Sequence, residues 1–337
     1  MNEHALNCCN AKLVKLAAGM KAARNATAIW VGCRRQVLGI LMATWACVYQ
    51  QQAWGGDVGI TDARGVTQQF AAPPKRIITL LPSLTESVCA LDACERLVAT
   101  DRYSNYPLAV TALPKVGGID DTPLEWVLSL HPDVVLAARS SRALNRLEEL
   151  HIPVIAEEPQ TLADVQHSMQ TLARLLDKPA ALAHWQQQLE RQLQQARNDV
   201  PVQRHQQRVY LEVSEDRYAA GQDSYLGELL ASIGVQSVIP SGYGAFPKLN
   251  PEWIINHPPD IIITDSASLQ AMANRAEIAH LKAYQHKQVC GFTRTQFELL
   301  SRPGPRVGEA ALLLSHCLAT LPPPPGLDQP SVKPKVN

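Results

Sequence analysis

Two rhythms of apolar and polar residues alternate along most of this chain. Short β-branched and aliphatic runs occupy positions 76–81, 132–136, 152–155, 208–213 and 259–263, bounded by proline or polar residues. Runs of that length read as strands buried on both faces of a parallel sheet. Between them apolar residues recur every three or four positions, the spacing of an amphipathic helix. The alternation predicts α/β lobes with parallel-type sheets. Ahead of the first strand, Asp62-Ala63-Arg64-Gly65 is a turn signature within 60–70, so a small hairpin is expected there, ended by Pro73-Pro74. Ser83 to Glu86 follow Pro82 as an N-cap-like helix start.

The rhythm breaks over 161–198, where no strand pattern occurs and 186–197 is rich in Gln, Leu, Arg and Ala without Gly or Pro. One long helix starting near Pro179 is predicted. About twenty residues of helix reach ~30 Å, enough to cross a small domain, so this helix is placed to bridge two lobes. The organisation expected is a leader over 1–55, an N-terminal lobe over 56–160, a helical linker with the bridging helix over 161–200, and a C-terminal lobe over 201–320. Residues 321–337 are proline-rich without an apolar pattern, and a disordered tail is expected.

Composition supports two ordinary cores. The chain has 337 residues, 46% of them apolar and 18% charged, beyond the usual size of one domain and too apolar for wholesale disorder. Basic and acidic residues balance at 31 each, so nothing marks a nucleic-acid or anionic-membrane partner.

The first 55 residues read as an export signal. Arg34 and Arg35 precede an apolar run over 37–49 that is short for a membrane span, and Ala53-Trp54-Gly55 suits cleavage before Gly56. The basic stretch ahead of it is long, so Met20 or a later start is an alternative initiator to Met1. Cys47 after Thr44-Trp45-Ala46 is a competing lipoprotein anchor, weakened by the absence of an aliphatic residue at Thr44. Four cysteines (Cys8, Cys9, Cys33, Cys47) fall in this leader. Cys89, Cys94, Cys290 and Cys317 remain, as free buried thiols or in one of three disulfide pairings. They show no metal-ligand spacing, and no structural metal or cofactor is expected.

An internal repeat ties the two halves together. Residues 124–136 match 251–263, with Glu125-Trp126 against Glu252-Trp253 and Asp133 against Asp260, at a constant offset of 127. In each copy Glu-Trp opens a short helix, proline stops it, and Asp precedes an apolar strand. For the Trp and Asp positions, packing at a helix-to-strand joint is reason enough. The glutamates sit in a first helical turn, favoured by the helix dipole and expected to be exposed.

Here the chain resembles the periplasmic solute-binding proteins of the ABC importers that serve vitamin B12, haem and ferric siderophores. The resemblance covers residues 60–320 and rests on 74–86, Tyr103-Ser104-Asn105-Tyr106-Pro107, both Glu-Trp repeats and Ser301-Arg302-Pro303-Gly304-Pro305-Arg306. It implies two Rossmann-like lobes joined by a single rigid helix. It also implies a monomer that docks Glu125 and Glu252 on a dimeric permease in the inner membrane.

In open α/β lobes the ligand lies beyond the carboxyl ends of the strands. Candidate cleft residues are therefore Ser83, Leu84, Tyr103, Ile119, Arg139, Tyr243, Phe246, Ser266, Phe297 and Arg302, with Tyr106 a weaker one, and loops 117–121 and 243–247 are expected to face one another. Relatives that bind cobalamin often carry tryptophan where Ile119, Ala138 and Phe246 stand. A corrinoid remains the first expectation for the ligand, since flat apolar walls with few hydrogen bonds suit a large neutral molecule. Haem or a ferric siderophore is the alternative, and in each case the ligand itself carries the cobalt or iron.

No nucleophile elbow, phosphate loop, dinucleotide fingerprint or zinc-protease helix occurs, so an enzyme is not expected. A sensor working without a transporter stays open. The adjacent acids Asp120-Asp121 and Glu157-Glu158 are expected in solvated loops.

Overall fold

The computed structural model describes residues 57–324. The export signal, the start codon, Cys47 and the tail from 325 onward lie outside the described residues. The chain opens with the antiparallel hairpin β1 (Val58–Thr61) and β2 (Thr67–Phe70). Its turn is fixed by Asp62, whose carboxylate accepts the backbone amides of Arg64 and Val66.

A four-stranded parallel sheet follows, in the order β4 (Leu97–Thr100), β3 (Ile77–Thr79), β5 (Val134–Ala137), β6 (Val154–Ala156). Every residue of β3, β5 and β6 is buried, which is why the sequence shows unbroken apolar runs there. Helices α1 (Pro82–Ala90), α2 (Leu124–Ser129) and α3 (Leu144–Glu149) lie between the strands. Helix α1 starts one step earlier than expected. Leu81 in extended conformation is its N-cap, with no side-chain cap, and Pro82 is its first residue. Proline suits that place because its missing N–H would find no partner there.

Two helices then cross over. Helix α4 (Leu162–Leu176) is held by a capping box between Thr161 and Asp164, and α5 (Pro179–Asp199) is the long helix anticipated from residue 179. Beyond it lies the second sheet, in the order β11 (Val289–Phe292), β10 (Ile261–Asp265), β7 (Arg208–Ser214), β8 (Tyr218–Ala219), with β9 (Gln236–Ser237) also on β7. All pairings are parallel except β7 with β8. Helices α6 (Tyr225–Ser232), α7 (Pro251–Asn256), α8 (Ser266–Met272), α9 (Ala276–Ala279), α10 (Lys282–Gln285), α11 (Arg294–Ser301) and α12 (Val307–Thr320) complete this lobe.

The bridging helix is polar along most of its length and buries only Trp185, Leu189 and Ala196. It packs along α12, where Gly308 lies so close to Gln192 that a side chain there would collide with it. The Trp185 indole donates to the Pro305 carbonyl at 2.8 Å, fixing α5 to the turn that starts α12.

The four cysteines within the lobes pair as Cys89–Cys94 at the end of α1 and Cys290–Cys317 between β11 and α12. The second closes a separation of 27 residues, which restrains the unfolded chain by about 3 kcal/mol. The start of the expected tail is anchored: Arg204 donates to the carbonyls of Leu321 and Pro322 at 2.9 and 2.6 Å.

Candidate functional site

The repeated joints show what the repeat encodes. In the first lobe the Asp133 carboxylate accepts the amides of Lys75 and Arg76 at 2.7 and 2.8 Å, and the Arg76 guanidinium caps the end of α2 through Leu130 and His131 carbonyls. In the second, Asp260 accepts the Arg208 amide at 2.7 Å, and the Arg208 guanidinium donates to the Pro258 carbonyl. Each Asp–Arg pair thus ties a short helix to the start of the neighbouring strand. Glu125 and Glu252 are left exposed in the first turns of α2 and α7. Trp126 is 44% exposed beside the former and Ile255 54% exposed beside the latter. Trp253 is half-buried, stacked on His257 with ring centroids 4.2 Å apart.

Where the lobes meet, a buried carboxylate from one takes two cations from the other. Glu86 of α1 is 3% exposed. It accepts Arg302 Nη1 at 3.0 Å and both Nε and Nη2 of Arg306 at 2.8 Å. Although burial opposes it, the Glu86 carboxylate pushes the Arg306 guanidinium above its ordinary value. Arg306 also lies 3.8 Å from the centroid of the Tyr106 ring. Arg302 continues to the Asn105 side chain (2.7 Å), the Tyr103 carbonyl (3.3 Å) and Glu298 (3.2 Å).

A cavity of about 420 Å³ opens on this seam. The first lobe lines it with Leu80, Leu81, Pro82, Asp101, Arg102, Tyr103, Asn105, Gly118 and Ile119, and the second with Arg294, Glu298 and Arg302. The strand ends β3 and β4 deliver the floor, as the strand-end rule requires. Gly117 takes φ +80° at the cavity edge, and a Cβ there would meet the Asp121 carbonyl at 2.6 Å, so only glycine makes the bend.

Asp101 organises the wall. It is 1% exposed and accepts the Tyr103 amide at 2.8 Å and the Ser104 hydroxyl. Burial pushes its carboxyl up, against those two hydrogen bonds and the charge of Lys115. The Lys115 ammonium reaches Thr100 Oγ1 and the Ser104 carbonyl, and burial lowers its pKa. Tyr103 is thereby presented at the cavity, 63% exposed, with the Arg102 guanidinium 5.9 Å from its ring centroid. On the opposite wall burial works against ionisation of Glu298, but Asn105, Arg294 and Arg302 hold its carboxyl below the usual range.

Of the ten cleft candidates, Tyr103, Ile119 and Arg302 line this cavity. Ser83 and Leu84 are buried inside the first turn of α1, and their neighbours Leu81 and Pro82 take the lining positions. Arg139 lines a different cavity, in the first lobe. Tyr243 and Phe246 are exposed and are not among the residues lining the seam cavity; Tyr243 meets Trp253 edge-on. Ser266 donates to the Phe292 carbonyl, and Phe297 is half-buried on α11. Asp101, Asn105, Arg294 and Glu298 escaped the sequence reading. Of these only Asn105 carried a signal, as part of the 103–107 stretch.

The paired acids divide. Asp120 and Asp121 are exposed, as expected, and pair with Arg142 and Arg102. Glu157 is 2% exposed, so the solvated-loop expectation fails for it; at the end of β6 its backbone N–H donates a hydrogen bond to the Ala137 carbonyl. Among the described residues no group of three or more His, Cys, Asp or Glu is placed to hold a metal ion. No described helix is long and apolar enough to cross a membrane.

Comparison with known proteins agrees with this geometry. The ABC transporter substrate-binding lipoprotein YvrC of Bacillus subtilis (strain 168) is 27% identical over 276 residues, 77% of this chain and 85% of that protein. The vitamin B12-binding protein of Pectobacterium atrosepticum is 26% identical over 264 residues, 74% of this chain and 90% of that one. The crystal structure of the periplasmic vitamin B12 binding protein BtuF of Vibrio cholerae superposes with a TM-score of 0.63 at 25% identity, covering 73% of this chain and 97% of that one. These relatives are binding proteins, in line with the expectation of a carrier rather than an enzyme. The periplasmic binding protein profile matches residues 77–293, and with two parallel-sheet lobes, a bridging helix and a cavity on their seam, the chain belongs to that family.

Proposed function

We propose that this protein is the extracytoplasmic substrate-binding component of an ABC importer, exported by its leader, and that it carries a corrinoid in the cavity between its lobes. The observation that supports this most is a cavity lined from both lobes beyond the strand ends, with Tyr103 held at its mouth by a buried aspartate. Flat phenol and aliphatic surface from Tyr103, Leu80, Leu81, Pro82 and Ile119 suits a large, mostly neutral ring system. The names of the relatives from Pectobacterium and Vibrio point the same way.

Delivery then falls to Glu125 and Glu252. A dimeric permease offers two equivalent surfaces, and a carrier with one exposed carboxylate on each of two matching joints meets both. Charge reversal at the two positions (Glu125→Lys with Glu252→Lys) should abolish uptake and leave ligand affinity intact; unchanged uptake would refute the docking role.

Haem or a ferric siderophore is the second reading, favoured by the exposed Tyr103 phenol beside Arg102, an oxygen able to meet a ligand's iron. Titrating the purified protein with cyanocobalamin, cobinamide, haemin and ferric siderophores decides between them. Shared tight binding of the two corrinoids supports the first reading. Saturation by haemin or a siderophore alone, lost in Tyr103→Phe, replaces it with the second.

A further inference from the structure

A second cavity, of about 260 Å³, lies in the first lobe apart from the seam. The hairpin turn brings Asp62 to it, the ends of β5 and β6 bring Arg139, Glu157 and Glu158, and the first turns of α4 bring Asp164 and His167. None of these residues lines the seam cavity.

Three of its four carboxylates are already satisfied. Asp62 takes the Arg64 guanidinium and the amides of Arg64, Val66 and Ala156. Glu158 takes the Ser140 amide and hydroxyl, both at 2.9 Å. Asp164 takes the amides of Gln160 and Thr161, both at 3.0 Å.

Glu157 is different. It is 98% buried, and among the described residues its Oε1 has no hydrogen-bond partner. Its amide donates to the Ala137 carbonyl of the sheet, and the residue lines the cavity. A buried carboxylate oxygen without a hydrogen bond disfavours the ionised form. Burial, with the charge of Asp62 beside it, pushes this carboxyl up to about 7, against the Ser168 hydroxyl and the charge of Arg139.

We propose that this cavity binds a small organic cation, with a primary ammonium group seated on Glu157 among the carboxylates of Asp62 and Glu158. An ammonium brings one charge and three N–H donors, which answers an acceptor-only carboxylate. A metal ion fits less well, because the described acids do not converge as a ligand set. The cavity exceeds what one ion needs and takes an aliphatic amine.

Calorimetric titration of the full chain with putrescine at pH 8, and separately with calcium chloride, tests this. Saturable one-to-one binding of putrescine is expected, weakened at least tenfold in Glu157→Gln. In the unaltered protein, affinity should fall about tenfold for each pH unit below 7, as a proton competes for the carboxylate. The other charged groups facing it are Asp62 and Arg64 on the hairpin, Arg139 after β5, Glu158, and Asp164 and His167 on α4. Absence of saturable putrescine binding, an affinity unchanged in Glu157→Gln or across pH 5–8, or calcium binding more tightly than putrescine overturns the proposal. None of these outcomes bears on the ligand of the seam cavity, which the corrinoid and haemin titrations read separately.

Discussion

Single carboxylates in this protein meet opposite fates according to what faces them. Asp133 is answered by two amides, Glu86 by two guanidiniums, and Glu157 by nothing within hydrogen-bonding reach of Oε1. For Glu157 the folded state binds its proton more tightly than the unfolded chain does. Its contribution to stability is therefore fully present below about 4.5 and is lost as pH rises through about 7. Without an amine, Glu157→Gln should stabilise the protein at pH 8 by on the order of 3 kcal/mol and by nothing at pH 4. Urea denaturation at the two pH values reads the difference. A neighbouring pair, Glu157-Glu158, looks alike in sequence. Only the depth of the β6 end separates a 2% exposed side chain from one bonded at the surface to Ser140.

At the scale of elements, the chain announced most of itself. The strands at 76–81, 132–136, 152–155, 208–213 and 259–263 and the long helix from Pro179 stand where apolar period and proline placement put them. The 127-residue repeat is realised as two Asp–Arg joints. Removing the aspartates should expose their inequality: Asp133 accepts two amides and Asp260 one. Asp133→Ala is expected to lose about 2 kcal/mol and Asp260→Ala about 1 kcal/mol in chemical denaturation. What the sequence did not carry was the seam. Glu86 meets Arg302 and Arg306 across 216 and 220 residues, and no periodicity links positions that far apart. Arg302 was therefore legible as a cleft residue, but its hold on Glu86, Glu298 and Asn105 was not. Asn105 and Glu298 joined the cavity for the same reason: α11 is placed against loop 101–106 by tertiary packing, not by local pattern.

Taken as a whole molecule, the two lobes are joined by the bridging helix and clasped at Glu86, with Glu298 accepting from Asn105 beside it. The side chains of Glu86, Arg302 and Arg306 are 2%, 13% and 16% exposed. Glu86→Ala would leave the Arg306 guanidinium, largely out of water, without its ion-pair partner and Arg302 with Glu298 alone, at a cost of about 3–5 kcal/mol. A lowered urea midpoint measures it, and Glu86→Gln should lose less because the amide oxygen still accepts. The same clasp leaves its mark on the time course of filling. Lobes pinned in this way should offer a ligand one already shaped cavity, so capture is expected to be a single encounter. In stopped-flow mixing, the observed rate for the ligand that binds should climb in proportion to its concentration without levelling off. In Glu86→Ala the curve should bend to a plateau, because the slow rearrangement of loosened lobes then sets the pace.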